Sequence, residues 1–207
     1  MLLNIAEICA ESKTLGPGKR FIIWVQGCCF NCQGCISPDW IPQTKANIVD
    51  PFKLADHIIS LPDIDGITIS GGEPMLQGEA LAKLLTYIRQ KKDLSVISYT
   101  CFTLSQLQTK KDNNINLFLS LIDVLIDGQY MAELNDNQGW RGSSNQKIHF
   151  LTNRHLKEIE LFTQRKRDVE VHIRDESALM VGVPPFDFKE KFALSVMPPN
   201  PPLKGGN

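Results

Sequence analysis

The chain alternates apolar stretches of β-strand length with amphipathic stretches of helical period. The run at 20–26 is rich in apolar, β-branched and aromatic residues, which is typical of a buried strand. Asp50 and Pro51 begin a helix, because Asp is a preferred N-cap and Pro fits the first helical position. This alternation predicts βα units on a mostly parallel sheet with right-handed crossovers. The predicted strands are 20–26, 66–70, 94–99, 124–126, 148–151, 169–173 and 179–181, with 5–12 as an edge strand or turn. Further helices are predicted at 79–88 and 155–164, another begins at 103, and residues 117–122 end a helix.

Length and composition favour one globular domain. The chain has 207 residues, of which 43% are hydrophobic and 22% charged, enough to bury a sizeable core. We place the domain at 1–195 and expect the Pro- and Gly-rich residues 196–207 to be a disordered tail. The net charge of −1 argues against nucleic acid or anionic lipid as a partner. Residues 1–16 do not resemble a signal peptide, and no apolar run reaches the ~20 residues of a membrane span, so we expect a cytoplasmic protein.

Four of the six cysteines lie close together after the first buried strand. Cys28, Cys32 and Cys35 have the spacing C-x3-C-x2-C, while Cys29 with the last two has the spacing C-x2-C-x2-C. The second spacing begins a bacterial ferredoxin run, but that run needs a fourth cysteine where this chain has Asp39. A structural zinc site also needs four ligands, and no histidine lies near the loop. A three-cysteine metal centre with one open position is therefore the favoured reading.

The other unusual residues also follow predicted strands. The turn Gly71-Gly72-Glu73-Pro74 ends the second strand, where its glycines permit close approach of the backbone to a ligand. Thr100-Cys101 and Asp127-Gly128 end the next two strands. Ligands of α/β folds bind at the carboxyl ends of parallel strands, so we expect these residues to share one site with the cysteines. An ordinary tight turn remains the alternative for both the glycine pair and Asp127.

Together these residues resemble the radical S-adenosylmethionine superfamily, whose signature is C-x3-C-x2-C followed by a G-G-E-P turn. Within it, the chain is most similar to the activating proteins of glycyl-radical enzymes, especially those of anaerobic ribonucleotide reductases. The resemblance covers residues 15–151 and leaves 152–195 as an extension. The stretches that carry it, besides the cysteines and the G-G-E-P turn, are Gly16-Pro17-Gly18, 99–104, 123–128 and the arginine–glycine–serine segment 141–146.

The resemblance implies a partial (β/α) barrel with one 4Fe-4S cluster on Cys28, Cys32 and Cys35. The open iron would bind S-adenosylmethionine, and one electron would then cleave it to methionine and a 5′-deoxyadenosyl radical that abstracts a hydrogen atom. The family further implies a glycyl-radical enzyme as protein substrate and flavodoxin or ferredoxin as electron donor. We expect six residues to line the cofactor site: Gly71, Gly72, Glu73, Pro74, Thr100 and Asp127.

Two alternatives stay open: a radical enzyme that acts on a peptide or small molecule, and a non-catalytic iron–sulfur or zinc module. The chain departs from many superfamily members at Gly34, where an aromatic residue usually contacts adenine. Cys29, Cys9 and Cys101 are interpreted as bystanders, the latter two as small apolar residues. The polar side chains Arg141, Ser143 and Asn145 are candidates for cofactor or partner binding, with a structural loop as the alternative, and His172 is interpreted as structural.

Overall fold

The computed structural model describes residues 1–186, 188, 191 and 192, and the predicted tail at 196–207 lies outside them. Its main sheet has seven strands in the order β3-β1-β2-β4-β5-β6-β7, and β8 and β9 form a separate hairpin. The strands are β1 Leu3–Ser12, β2 Arg20–Val25, β3 Asn47–Val49, β4 Gly66–Gly71, β5 Ser95–Thr100, β6 Val124–Asp127, β7 Lys147–Phe150, β8 Val169–Ile173 and β9 Ala178–Gly182.

The α/β class is confirmed, and the sheet is mixed. The four strands β2, β4, β5 and β6 are parallel neighbours at its centre. On either side β1 pairs with β2, and β7 with β6, in antiparallel fashion. The four parallel strands place their carboxyl ends at one edge of the sheet, where the predicted site residues follow them.

The helices are α1 Pro51–Ser60, α2 Gly78–Arg89, α3 Leu104–Thr109, α4 Asn113–Ser120 and α5 Ile159–Gln164. The first four cover one face of this sheet. The Asp50 side chain accepts hydrogen bonds from the backbone N–H groups of Phe52 and Lys53, as its predicted N-cap role requires. None of the helices in the described part of the chain has both the length and the apolar character needed to cross a membrane.

The two faces of the sheet bury separate apolar clusters. The larger one lies beneath the helices and includes Phe21, Ile67, Leu81, Leu84 and Phe118, all fully or almost fully buried. On the opposite face the residues of β2 and β5–β7 form two smaller clusters. The hairpin β8–β9 covers the first through Val181, and the helix α5 covers the second through Phe162. The C-terminal extension, with α5 and the hairpin β8–β9, therefore covers the face that α1–α4 leave open.

The extension differs in detail from its predicted elements. A helix was predicted at 155–164, but only α5 is α-helical and a single 3-10 turn, Leu156–Glu158, precedes it. His155 is buried there and its ring packs 5.7 Å from that of Phe162. The late strands were predicted within two residues of their observed bounds.

Candidate active site

A cavity of about 550 Å³ lies at the carboxyl ends of β2, β4 and β5. Four segments form its walls: the cysteine loop, the strand ends, the loop before β7 and the segment that follows β8. The lining residues used below are Leu15, Trp24, Cys28, Cys32, Cys35, Ile36, Asp39, Trp40, Gly71, Gly72, Tyr99, Thr100, Cys101, Tyr130, Asn135, Gly142, Gln146, Leu179, Met180 and Gly182–Phe186. This volume is in the range of about 300–1000 Å³ that is typical of small-molecule and cofactor sites.

The structure brings the three predicted cluster cysteines to this one cavity. Cys28, Cys32 and Cys35 line it, whereas Cys29 is exposed and does not. Backbone hydrogen bonds fold the loop over the strand end, from the N–H of Cys28 to the carbonyl of Ile41 at 2.9 Å and from that of Cys35 to Cys32 at 3.1 Å. None of the six cysteines forms a disulfide bond within the described residues.

The donor set of the cysteine loop suits an iron–sulfur cluster. Among the residues that the structure describes, no group of three or more His, Cys, Asp or Glu side chains is arranged to hold one metal ion. Three thiols around an open cavity, with soft sulfur donors, suit such a cluster.

Cys101 joins these cysteines from the end of β5, a contact that sequence reasoning missed. It lines the same cavity, and its side chain interacts with that of Cys28. This interaction, with a smaller contribution from the N–H of Phe30, lowers the pKa of Cys28 to about 6 despite the burial that opposes it. The same interaction raises the pKa of Cys101.

The glycine pair lets the turn after β4 pack against the start of the cysteine loop. The N–H of Gly72 donates to the carbonyl of Val25 at 2.8 Å, and that of Glu73 to Gly27 at 2.9 Å. A Cβ atom on Gly72 would lie 2.2 Å from the Gly27 oxygen, and one on Gly71 would lie 2.4 Å from the Val25 nitrogen. Only glycine fits this approach, and both glycines line the cavity.

Glu73 points away from the cavity and connects the ends of three strands. Its side chain is fully buried and accepts hydrogen bonds from the N–H of Met75 at 3.0 Å, the hydroxyl of Thr100 at 2.8 Å and the N–H of Cys101 at 2.8 Å. Burial raises the pKa of Glu73 to about 7, although these three hydrogen bonds oppose the rise. With its own N–H on Gly27, Glu73 links the carboxyl ends of β2, β4 and β5.

The remaining predicted cofactor residues divide between the cavity and its support. Thr100 is buried and lines the cavity. Pro74 is buried at the start of the 3-10 turn after Glu73 and is not among the described lining residues. Asp127 is not among them either; its carboxylate accepts from the N–H of Leu104 at 2.5 Å, at the start of α3. Nε2 of His149 lies 2.9 Å from an Asp127 carboxylate oxygen without forming a hydrogen bond to it.

In the arginine–glycine–serine segment, the residues that line the cavity differ from the predicted Arg141, Ser143 and Asn145. Arg141 pairs with Asp136 at 2.5 Å, the buried Ser143 hydroxyl accepts from Met131 at 3.1 Å, and Asn145 donates to Gln129 at 2.8 Å. These contacts are those of a structural loop. Gly142 and Gln146 of the same segment line the cavity.

The sequence did not predict that aromatic residues and residues of the C-terminal extension would line the cavity. Trp24 and Trp40 line the cavity with ring centroids 5.6 Å apart. Leu179, Met180 and residues 182–186 form a wall from the C-terminal extension. The sequence predicted strands at 169–173 and 179–181 but did not show that residues 179–186 border the cavity.

Comparison with known proteins agrees with this geometry. Residues 14–149 match the family described as "4Fe-4S single cluster domain". The anaerobic ribonucleoside-triphosphate reductase-activating protein of Vibrio cholerae is 34% identical over 147 residues, covering 66% of this chain and 91% of that protein. The protein of the same name from Escherichia coli K12 is 35% identical over 150 residues, with the same coverages.

A second group of relatives is represented by the pyruvate formate-lyase-activating enzyme of Streptococcus mutans. It is 39% identical over 82 residues, which cover 37% of this chain and 31% of that protein. The family match spans the cysteine loop, the glycine–glutamate–proline turn and the strand ends that surround the cavity. The chain therefore belongs to the 4Fe-4S single cluster family, as a radical S-adenosylmethionine protein of the kind that activates glycyl-radical enzymes.

Proposed function

We propose that this protein reductively cleaves S-adenosylmethionine to a 5′-deoxyadenosyl radical. That radical then abstracts a hydrogen atom from a glycyl-radical enzyme, such as an anaerobic ribonucleotide reductase. The convergence of Cys28, Cys32 and Cys35 on a cavity bordered by Gly71 and Gly72 is the observation that carries the proposal. When bound, a 4Fe-4S cluster would supply the electron that splits the sulfonium into methionine and the 5′-deoxyadenosyl radical. Hard redox chemistry of this kind belongs to the cofactor, while the chain binds, orients and shields.

In this proposal the three cysteines hold the cluster and the strand ends hold S-adenosylmethionine. Gly71, Gly72 and Thr100 contact the cofactor directly, since they line the cavity. Glu73, Pro74 and Asp127 are not among the described lining residues and instead keep the strand ends in place. The curvature of the sheet into a partial barrel, and the use of flavodoxin or ferredoxin as electron donor, belong to the same proposal.

Anaerobic reconstitution with iron and sulfide tests the assignment. We expect dithionite-reduced wild-type protein to release 5′-deoxyadenosine and methionine from S-adenosylmethionine, and Cys32→Ala to release neither. Cys29→Ser is the matched control, because this neighbouring cysteine is exposed and does not line the cavity. Equal activity of Cys32→Ala and wild type, or zinc without iron in the purified protein, would refute the proposal.

A second candidate function is a cluster with four protein ligands that only transfers electrons. The position of Cys101 beside Cys28 is the observation that raises it. Cys101→Ser distinguishes them: loss of the cluster would favour four protein ligands, whereas a retained cluster whose spectrum changes on adding S-adenosylmethionine favours the radical enzyme.

A further inference from the structure

The outer side of the cysteine loop carries a packed aromatic pair. Phe30 lies between Cys28 and Cys32 in the chain and lines the cavity. Its ring packs edge-on against that of Phe102, with centroids 4.8 Å apart and ring planes at 76° to 72° of each other, centred on 74°. Phe102 follows Cys101 but is not itself among the described lining residues. Both rings are half-buried, so the pair connects the cavity wall to the protein surface.

Two lysines lie on the surface side of these rings. Nζ of Lys110 is 3.8 Å from the centroid of the Phe102 ring, a cation–π contact. Lys110 is the C-cap of α3, and Lys111 follows it in the left-handed conformation with a φ of 50°. Both lysines are exposed, as is Cys29 beside Phe30. We call Cys29, Phe30, Phe102, Lys110 and Lys111 the loop face.

The acidic residue next to these lysines in the chain does not neutralise them. The Asp112 carboxylate accepts hydrogen bonds from the N–H groups of Asn114 at 2.8 Å and Ile115 at 3.2 Å, as the N-cap of α4. Its charge is therefore directed to the positive end of that helix. Within the described residues, neither lysine forms an ion pair. The loop face thus has positive charge available for an anionic partner.

The opposite side of the cysteine loop carries the other sign of charge. A Cβ atom on Gly34 would lie 3.2 Å from the side chain of Ala132, so this side of the loop faces the 3-10 turn Ala132–Leu134. Glu133 in that turn is exposed, and so is Asp39, four residues after Cys35. An anionic protein is therefore repelled on this side and attracted to the loop face.

The proposed reaction needs one electron at the cysteine loop. That electron leaves a reduced carrier, which is oxidised by one equivalent. It ends in the bond between sulfur and C5′ of S-adenosylmethionine, which breaks to methionine and the 5′-deoxyadenosyl radical. A carrier on the loop face would not compete for the cavity, because Phe102, Lys110 and Lys111 are not among the described lining residues.

We propose that the loop face is the docking surface for a small acidic protein that carries one electron. This inference rests on the proposed function and names the place where its electron enters. The exposed lysines attract and orient the acidic carrier, while the aromatic pair forms the apolar centre of the contact. Because exposed charges are screened by salt, docking weakens as the ionic strength rises.

Charge reversal on the loop face tests this surface, with reduced flavodoxin as the acidic carrier. At low salt and subsaturating flavodoxin, we expect Lys110→Glu/Lys111→Glu to form 5′-deoxyadenosine about tenfold more slowly than wild type. The difference should shrink in about 0.5 M salt. Dithionite needs no docking surface, so with dithionite both proteins should react at the same rate, which also shows that the variant is folded.

Two further double variants separate the loop face from total charge. Lys157→Glu/Lys166→Glu has the same net charge as the first variant, but its substitutions are at exposed residues of the C-terminal extension. Lys110→Arg/Lys111→Arg keeps both positive charges on the loop face. Both should retain the flavodoxin-driven rate. An equal loss in Lys157→Glu/Lys166→Glu, or no loss in Lys110→Glu/Lys111→Glu, would overturn the inference.

Binding of fluorescently labelled flavodoxin, followed by anisotropy, measures docking without turnover. The Kd should rise about tenfold in Lys110→Glu/Lys111→Glu and stay as in wild type in the other two variants. An unchanged Kd in the charge-reversed loop face would contradict the docking surface. Absence of S-adenosylmethionine cleavage by dithionite-reduced wild type would contradict only the proposed function, since binding is measured independently of it.

Discussion

Replacing Glu73 by glutamine should change how stability depends on pH. The carboxyl group is fully buried and its pKa rises from 4.5 to about 7 on folding. The folded state therefore holds a proton that the unfolded state releases, so stability falls as pH rises from 4.5 through 7. The whole shift corresponds to about 3 kcal/mol. Glutamine does not titrate and should remove this part of the pH dependence.

The same substitution changes the hydrogen bonds that Glu73 accepts. If the amide oxygen keeps the bonds from Met75 and Thr100, its NH₂ group faces the N–H of Cys101. An unsatisfied buried donor costs about 1–3 kcal/mol. Near pH 5, where the native carboxyl is neutral, we expect Glu73→Gln to be less stable by about that amount. Near pH 8 the loss should be largely offset, because the variant avoids burying a charge.

Urea unfolding of the metal-free protein, followed by far-UV circular dichroism from about pH 5 to pH 8, measures this directly. The quantity to compare is the difference in unfolding free energy between wild type and Glu73→Gln. The lowered pKa of Cys28 adds a pH dependence of the opposite sign, which is common to both proteins and largely cancels in the difference. A difference that stays constant across this range would refute the buried, proton-holding role of Glu73.

Three further substitutions test the support of the site. Gly72→Ala should destabilise the protein by about 1–3 kcal/mol through the clash with Gly27, measured by urea unfolding, whereas Gly78→Ala, whose Cβ would find its nearest neighbour at 3.7 Å, should be neutral or stabilising. Asp50→Ala should lose about 1 kcal/mol as the N-cap of α1, seen in the thermal midpoint, and Asp50→Asn should retain most of it. Arg167→Lys should lower the free energy of unfolding by about 2 kcal/mol, since one ammonium cannot reach all the carbonyl groups that the guanidinium contacts. It should also speed proteolysis of the C-terminal extension. Equal cleavage rates of the variant and wild type would contradict the role of Arg167 in holding the extension against the cavity.

Secondary structure and the cysteine loop were the parts most accessible to sequence reasoning. Buried strands carry continuous apolar runs, and the N-cap at Asp50 is a local hydrogen-bond pattern, so neighbouring residues contain the information. Of the helix predicted at 155–164, only 159–164 is α-helical and 156–158 is a 3-10 turn, where the ring of the buried His155 packs against that of Phe162. The sequence also did not predict that β7 runs antiparallel to β6, since the pattern of residues along one strand does not determine the direction of its neighbour.

The role of Glu73 shows the limit of a motif. The turn Gly71-Gly72-Glu73-Pro74 predicted a cofactor-binding segment, and its two glycines do line the cavity. The carboxylate instead accepts from Cys101, which lies 28 residues further along the chain. Nothing in the residues next to Glu73 distinguishes a side chain that faces a ligand from one that faces a neighbouring strand, because both occur at a strand end.

By itself, the sequence determined the alternation of strands and helices, the C-x3-C-x2-C spacing and the position of the site at the strand ends. These features depend on residues a few positions apart. Tertiary structure alone decided that Cys101 lies beside Cys28 and that the extension lines the cavity. The bond from Thr14 to Val181, which helps to hold the extension there, joins residues 167 positions apart. Contacts over such distances arise from the packing of the whole sheet, and a local pattern of side chains does not encode them.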